Sequence, residues 1–135
     1  MSSTPWLDWL LKHEGEPEFT GTEPTPFVKE CFSHTSYGPL HGSTPASCAA
    51  TLCAALEESG YSSPHSAAAI SFAKFGEKCD LQVGAICVFQ WPNGEHHVSV
   101  CLSPEKNLFL GGNQGHMLQR QTYNPKYIIA IRRPS

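Results

Sequence analysis

The stretch "TPASCAATLCAALEESGY", residues 44–61, decides how the chain is read. A hydroxyl residue and a proline, Thr44-Pro45, lead towards Cys48. Behind the cysteine runs an alanine-rich segment with Leu52, Ala55, Leu56 and Ser59 on one helical face, closed by Gly60. Proline is tolerated in a first helical turn, where its missing N–H would have no partner, and a following glycine takes the left-handed conformation that ends a helix. The spacing predicts a helix from about Thr44 or Ser47 to Ser59, with Cys48 near its N-terminus. Unpaired N–H groups and the helix dipole favour a thiolate there. Cys48 is therefore a candidate nucleophile, and equally a small packing residue at the edge of the stripe; placement alone leaves both open. Its neighbours Ser47, Ala49 and Ala50 are small and would let a substrate approach. Cys53, deeper in the helix, reads as core.

The same hydroxyl-proline signature occurs at Thr4-Pro5, Thr25-Pro26 and Ser63-Pro64. It predicts a short helix carrying Trp6, Leu7, Leu10 and Leu11, a second carrying Phe27, Val28, Cys31 and Phe32, and a fourth over Pro64–Phe75 ending at Gly76. Beyond Gly76 the texture changes to short β-rich runs: "GAICVFQW", "HHVSVCLS", "NLFLGG", "GHMLQRQTY" and "YIIAIRR". Turns at Pro92-Asn93-Gly94 and Ser103–Asn107 separate the first of these. Helices followed by hairpin-linked strands predict an α+β fold with an antiparallel sheet. Residues 1–135 show no repeat, low-complexity tract or interdomain linker and read as a single domain.

At 135 residues and 40% hydrophobic content the chain can bury one ordinary core. A formal charge of −3 and pI near 6.1 leave no basic surplus for a phosphate backbone, which argues against nucleic acid as partner. The opening "WLDWLL" contains an acid and follows no basic region, so neither a Sec signal nor membrane insertion is expected. Six cysteines at 31, 48, 53, 79, 87 and 101 bracket no loops and form no C-x-x-C pair. Free buried thiols in a reducing cytoplasm are the expectation, with no metal.

A nucleophilic thiol needs a base, usually histidine, held by a third polar group. His97 opens a strand in which His97, Ser99 and Cys101 share one face, so its imidazole would project beside small side chains that leave room for a helix end. His96 points the opposite way and is the competitor, suited to substrate contact. His13, His34, His41 and His65 lie at helix ends or in loops, where solvation is the usual outcome, and His116 could only line a cleft. The third member should come from "LFLGGNQG", where either Asn113 or Gln114 follows two glycines that permit close approach or a bulge.

Taken in order, these pieces resemble the papain-like cell-wall hydrolases of the NlpC and CHAP kind. "TPASCAATLCAALEESGY" resembles the Thr-Pro-Trp-Cys-Ser start of the family's nucleophile helix, and "SSPHSAAAISFAKFG" its next helix. "LQVGAICVFQWPNGEHHVSVCL" resembles the Pro-Gly-Asp-Ile-Val-Val-Phe and Gly-His-Val-Gly strands, with His97 at the histidine. "LFLGGNQG" matches the Leu-Gly-Gly-Asn-Gln element. Ala46-Ser47 stand where the family usually has one Trp, Ala85 replaces an Asp, and Glu95-His96 replace the glycine before the histidine.

The resemblance implies a papain-like domain in which the nucleophile helix packs on an antiparallel sheet of about five strands. It implies hydrolysis of an amide bond in the peptide stem or crosslink of peptidoglycan. Cys48 would attack, His97 would shuttle the proton, and Asn113 would orient His97, with Gln114 as alternate orienter. Tyr37 would help polarise the carbonyl, and His96 and Ser47 would border the substrate. No cofactor is required. The compact form is similar to amidase effectors delivered by type VI secretion. That subgroup implies a monomer made in the bacterial cytoplasm, acting in the periplasm or wall of a target cell, and blocked at its cleft by a cognate immunity protein. The alternatives are a phage-type endolysin, a thiol acyltransferase or deamidase on another substrate, and a binding domain of the same fold without activity.

Overall fold

Two hydroxyl-proline pairs start helices in the computed structural model, which describes residues 2–37 and 46–135. In α1 (Pro5–Lys12) the Thr4 carbonyl accepts from the N–H groups of Leu7 and Asp8 at 3.0 and 3.1 Å. α1 buries Trp6, Leu7 and Leu10, while Leu11 stays largely exposed. α2 (Pro26–Ser33) is capped by Thr25, whose Oγ1 accepts from the Val28 N–H at 3.2 Å. α3 (Cys48–Glu58) begins after Ser47; the expected Thr44-Pro45 lead-in, His41 and most of the loop before it lie outside the described residues. It ends as predicted. Gly60 adopts φ 90°, its N–H reaches the Glu57 carbonyl at 3.1 Å, and the Tyr61 N–H reaches that of Leu56 at 2.9 Å, a Schellman arrangement.

The fourth predicted helix is a correction. Only a 3-10 helix, Ala69–Lys74, forms within Pro64–Phe75. The Ser63 hydroxyl accepts from the His65 N–H at 2.9 Å and donates to Glu57, and Ser66 accepts from the Ala68 N–H at 3.1 Å. Serine side chains here close local turns that compete with helix, and His65 sits at φ 54° between them.

All five predicted strands are present, and the sheet is larger than expected. β1 (Phe19–Thr20) and β2 (Glu23–Pro24) form a separate hairpin. β3 (Glu77–Lys78), β4 (Ile86–Gln90), β5 (His96–Ser103), β6 (Leu108–Gly111), β7 (Gln119–Thr122) and β8 (Ile128–Arg133) make one six-stranded sheet in the order β3-β8-β4-β5-β6-β7. Every pairing in it is antiparallel. β3 escaped the sequence reading because two charged residues at an edge carry no hydrophobic alternation.

Alternation along β4 and β5 sorts the core. Ile86, Val88, Val98 and Val100 face α1 and α3, packing with Leu7, Leu10, Leu52 and Leu56. Cys87, Phe89, Cys101 and Phe109 form a second cluster on the other face. α3 is buried along Cys48–Leu56 because its other side, through Ala50 and Ala54, meets Val28, Cys31 and Phe32 of α2. Alanine is what lets two helices and a sheet close on one another there. α1 is pinned at both ends, by the Trp6 indole N–H on the Gly84 carbonyl at 2.9 Å and by Glu14 accepting two bonds from Arg120.

Candidate active site

His97 is the second residue of β5, opposite Phe89 on β4. It is 5% exposed and walled by aromatic rings: Tyr123 at 5.4 Å between centroids, Phe89 and Trp91 at 6.1 Å each. Its Nε2 lies 3.0 Å from Gln114 Oε1. The Gln114 amide nitrogen donates to the carbonyls of Gln119 at 2.7 Å and Phe109 at 3.4 Å, and its oxygen accepts from Ser99 Oγ at 2.7 Å. With the amide held that way round, Nε2 must carry the proton. Nδ1 keeps a free lone pair, the state a general base needs.

Gln114 reaches His97 because β6 ends at Gly111 and a second glycine, Gly112, follows it. A Cβ on Gly111 would lie 2.7 Å from Ser99 Oγ and 2.9 Å from Gln114 Oε1. Asn113 takes φ 57°, a conformation that asparagine tolerates, and this turns the chain so that the next side chain points inward. Gln114 is fully buried and Asn113 only half-buried. Of the two expected orienters, Gln114 is the one that bonds the imidazole.

Cys48 is 4% exposed and packs with Val98, the residue after His97. Burial pushes its thiol pKa up; backbone groups of Val98, Ala49 and Cys48 pull it down by less, and Glu18 adds to the rise. Tyr123 borders His97, and burial, followed by the charge of Cys48, pushes its phenol up to about 12. Burial likewise holds His97 below the usual histidine value, against the hydrogen bond with Gln114. The directions describe a resting pair of neutral thiol and neutral imidazole. Burial raises Cys31 to about 12 and Cys101 to about 11 as well, so an elevated pKa does not set Cys48 apart. Its place at the start of α3, beside the strand that carries His97, does. All six cysteines are unpaired.

Two expectations about the approach to Cys48 are corrected. α3 rests on the Val98–Val100 face of β5, and the face shared by His97 and Ser99 is filled by Gln114 and aromatic rings. Ser47, Ala49 and Ala50 form no open approach, being buried; the Ser47 hydroxyl donates to Glu18 Oε1. His96, the first residue of β5, is exposed and points to the face opposite His97. Tyr37 is 53% exposed and its ring packs on Phe32 of α2 at 5.6 Å; among the described contacts none links it to Cys48.

Glu18, Trp91 and Tyr123 were missed in the sequence. Trp91 and Tyr123 follow strands as ordinary aromatic residues, and nothing near Glu18 marks it as buried. A cavity of about 340 Å³ lies apart from this site, against Ala73, Cys79 and β8. No described helix is long and apolar enough to cross a membrane.

No family model matches the chain, and no curated relative does. A solved structure does. The chain is similar to the crystal structure of the P60 domain of an antigen from M. avium paratuberculosis, with a TM-score of 0.61 at 15% identity over 96% of this chain and 90% of that one. That likeness extends over nearly the whole of both chains and shows the fold alone: the chain has the papain-like α+β fold of that P60 domain.

Proposed function

We propose that the chain is a cysteine amide hydrolase acting on the peptide part of peptidoglycan. The observation that carries the reading is the His97–Gln114 bond, which leaves Nδ1 as a base on the strand that borders Cys48. A P60 domain as structural neighbour and the motif order of the sequence support the substrate class. In the proposed reaction His97 Nδ1 takes the Cys48 proton as the sulfur attacks the carbonyl. The imidazolium then protonates the leaving amine, and water hydrolyses the thioester. Gln114 holds the ring through both proton transfers. No step calls for a metal or organic cofactor.

The experiment is digestion of purified peptidoglycan followed by mass spectrometry of the released peptides, with Cys48→Ala as control. New amine and carboxyl termini support the reading. A product heavier by an acyl group, or lighter by ammonia from a protein side chain, would replace it with an acyltransferase or deamidase. We further propose delivery outside the cytoplasmic membrane, in the manner of a type VI effector. The chain should be tolerated in the cytoplasm of a Gram-negative host and lyse it when fused to a periplasmic signal. Equal tolerance of the exported, folded active and Cys48→Ala fusions would overturn that.

A further inference from the structure

Glu18 is a carboxylate only 5% exposed, beside the start of α3. Its segment is clamped before it reaches the site. Pro17 bridges Met117, the Glu18 N–H donates to the His116 carbonyl at 3.0 Å, the Thr25 N–H donates to the Glu18 carbonyl at 2.9 Å, and Thr25 Oγ1 donates to the Pro17 carbonyl at 2.8 Å. The residues it pairs with continue the turn that carries Gln114, whose own N–H donates to the Met117 carbonyl at 3.1 Å. From this support Oε1 accepts the Ser47 hydroxyl, and Oε2 stands 3.8 Å from the exposed His116. Ser47 in turn sets the first turn of α3: its carbonyl accepts both the N–H and the Oγ1 of Thr51, at 2.9 and 2.8 Å.

A buried carboxylate is costly unless a hydrogen bond repays it, and this one spends its bond on the residue next to Cys48. We propose that Glu18 is a positioning residue for the reaction, fixing through Ser47 the turn that aims the Cys48 sulfur at His97. One clamped segment then ties nucleophile and base to a common support, since the same 116–118 strip braces Gln114. The inference rests on the proposed thiol mechanism and adds a residue to it.

The test compares wild type with Glu18→Ala, Glu18→Gln and Ser47→Ala. It uses three readouts: thermal unfolding, kcat and KM on soluble peptidoglycan peptides, and the rate of Cys48 alkylation by iodoacetamide resolved by mass spectrometry. Misalignment should lower kcat by about tenfold to a hundredfold in Glu18→Ala and Ser47→Ala with KM little changed. Cys48 alkylation should slow in the same two variants, the lost alignment with His97 outweighing in Glu18→Ala the removal of a charge that disfavours the thiolate. Glu18→Gln should stay close to wild type, because its carbonyl accepts the same bond. A folded Glu18→Ala with wild-type kcat and alkylation would overturn the proposal. So would a Glu18→Gln as impaired as Glu18→Ala beside an unimpaired Ser47→Ala, which would make the charge the active feature. If Glu18→Ala does not fold, Ser47→Ala decides. If the wild type releases nothing from peptidoglycan, the functional reading fails while the alkylation rates still decide the role of Glu18.

Discussion

His97 sits among Phe89, Trp91 and Tyr123, and burial holds its imidazole below the ordinary value of 6.5. A base must be unprotonated to act, so the acid limb of kcat/KM should have its midpoint below pH 6.5, read from a pH–rate profile. A midpoint above that value would mean that the neutral pair is not the reacting form. Removing a general base costs about 10² to 10⁴ in rate, and His97→Ala should show such a loss, with His96→Ala affecting mainly KM. Cys48→Ala should abolish turnover without unfolding, whereas Cys53→Ala should leave it. Steady-state kinetics beside thermal melts check all four variants.

At the scale of elements, the chain at the end of β6 lies against β5 at Gly111 and against α3 at Gly112, and neither position has room for a side chain. The Gly112 Cβ would meet Thr51 Oγ1 and, at 2.9 Å, Thr51 Cβ, so alanine there must push α3 from the sheet. Overpacking of this kind costs about 1–3 kcal/mol, and a denaturant titration of Gly112→Ala should show it. Gly111→Ala acts differently, because its clash falls on Ser99 Oγ and Gln114 Oε1. It should lower kcat by disturbing the His97–Gln114 bond, with a smaller loss of stability than Gly112→Ala.

Across the whole molecule, one surface ion-pair network joins three parts of the chain. His34 at the end of α2 meets Glu57 at 2.9 Å and Glu58 at 3.2 Å on α3, with Glu30 at 3.5 Å on its own helix. Glu57 also takes Ser63 at 2.5 Å and His65 at 3.2 Å. Burial opposes protonation of His34, but the bonds and charges of Glu57 and Glu58 outweigh it and the pKa is raised. A raised folded value means the contribution is fully present below the unfolded value of 6.5 and is lost as pH rises through the folded one. The network is partly solvated, so its worth is about 0–1 kcal/mol. The melting temperature of wild type minus that of His34→Gln should therefore be largest below pH 6.5 and shrink above it. A difference that grows with pH would reverse the assignment.

Local chemistry determined much of this by sequence alone. Proline after a hydroxyl residue started α1 and α2, Gly60 stopped α3, and short β-rich runs placed β4 to β8, because each signal acts within a few residues of chain. The proposal that Cys48 works with His97 came from motif order, and the opposite facing of His96 and His97 followed from strand alternation. Tertiary structure decided the rest. Which of Asn113 and Gln114 meets the imidazole depended on one left-handed residue and two glycines wedged between α3 and β5. The Ser63-Pro64 signal lost to serine-closed turns whose partner, Glu57, is on another element. Glu18 came to the site through a bridge between residues 17 and 117, a contact across a hundred positions that no local pattern encodes.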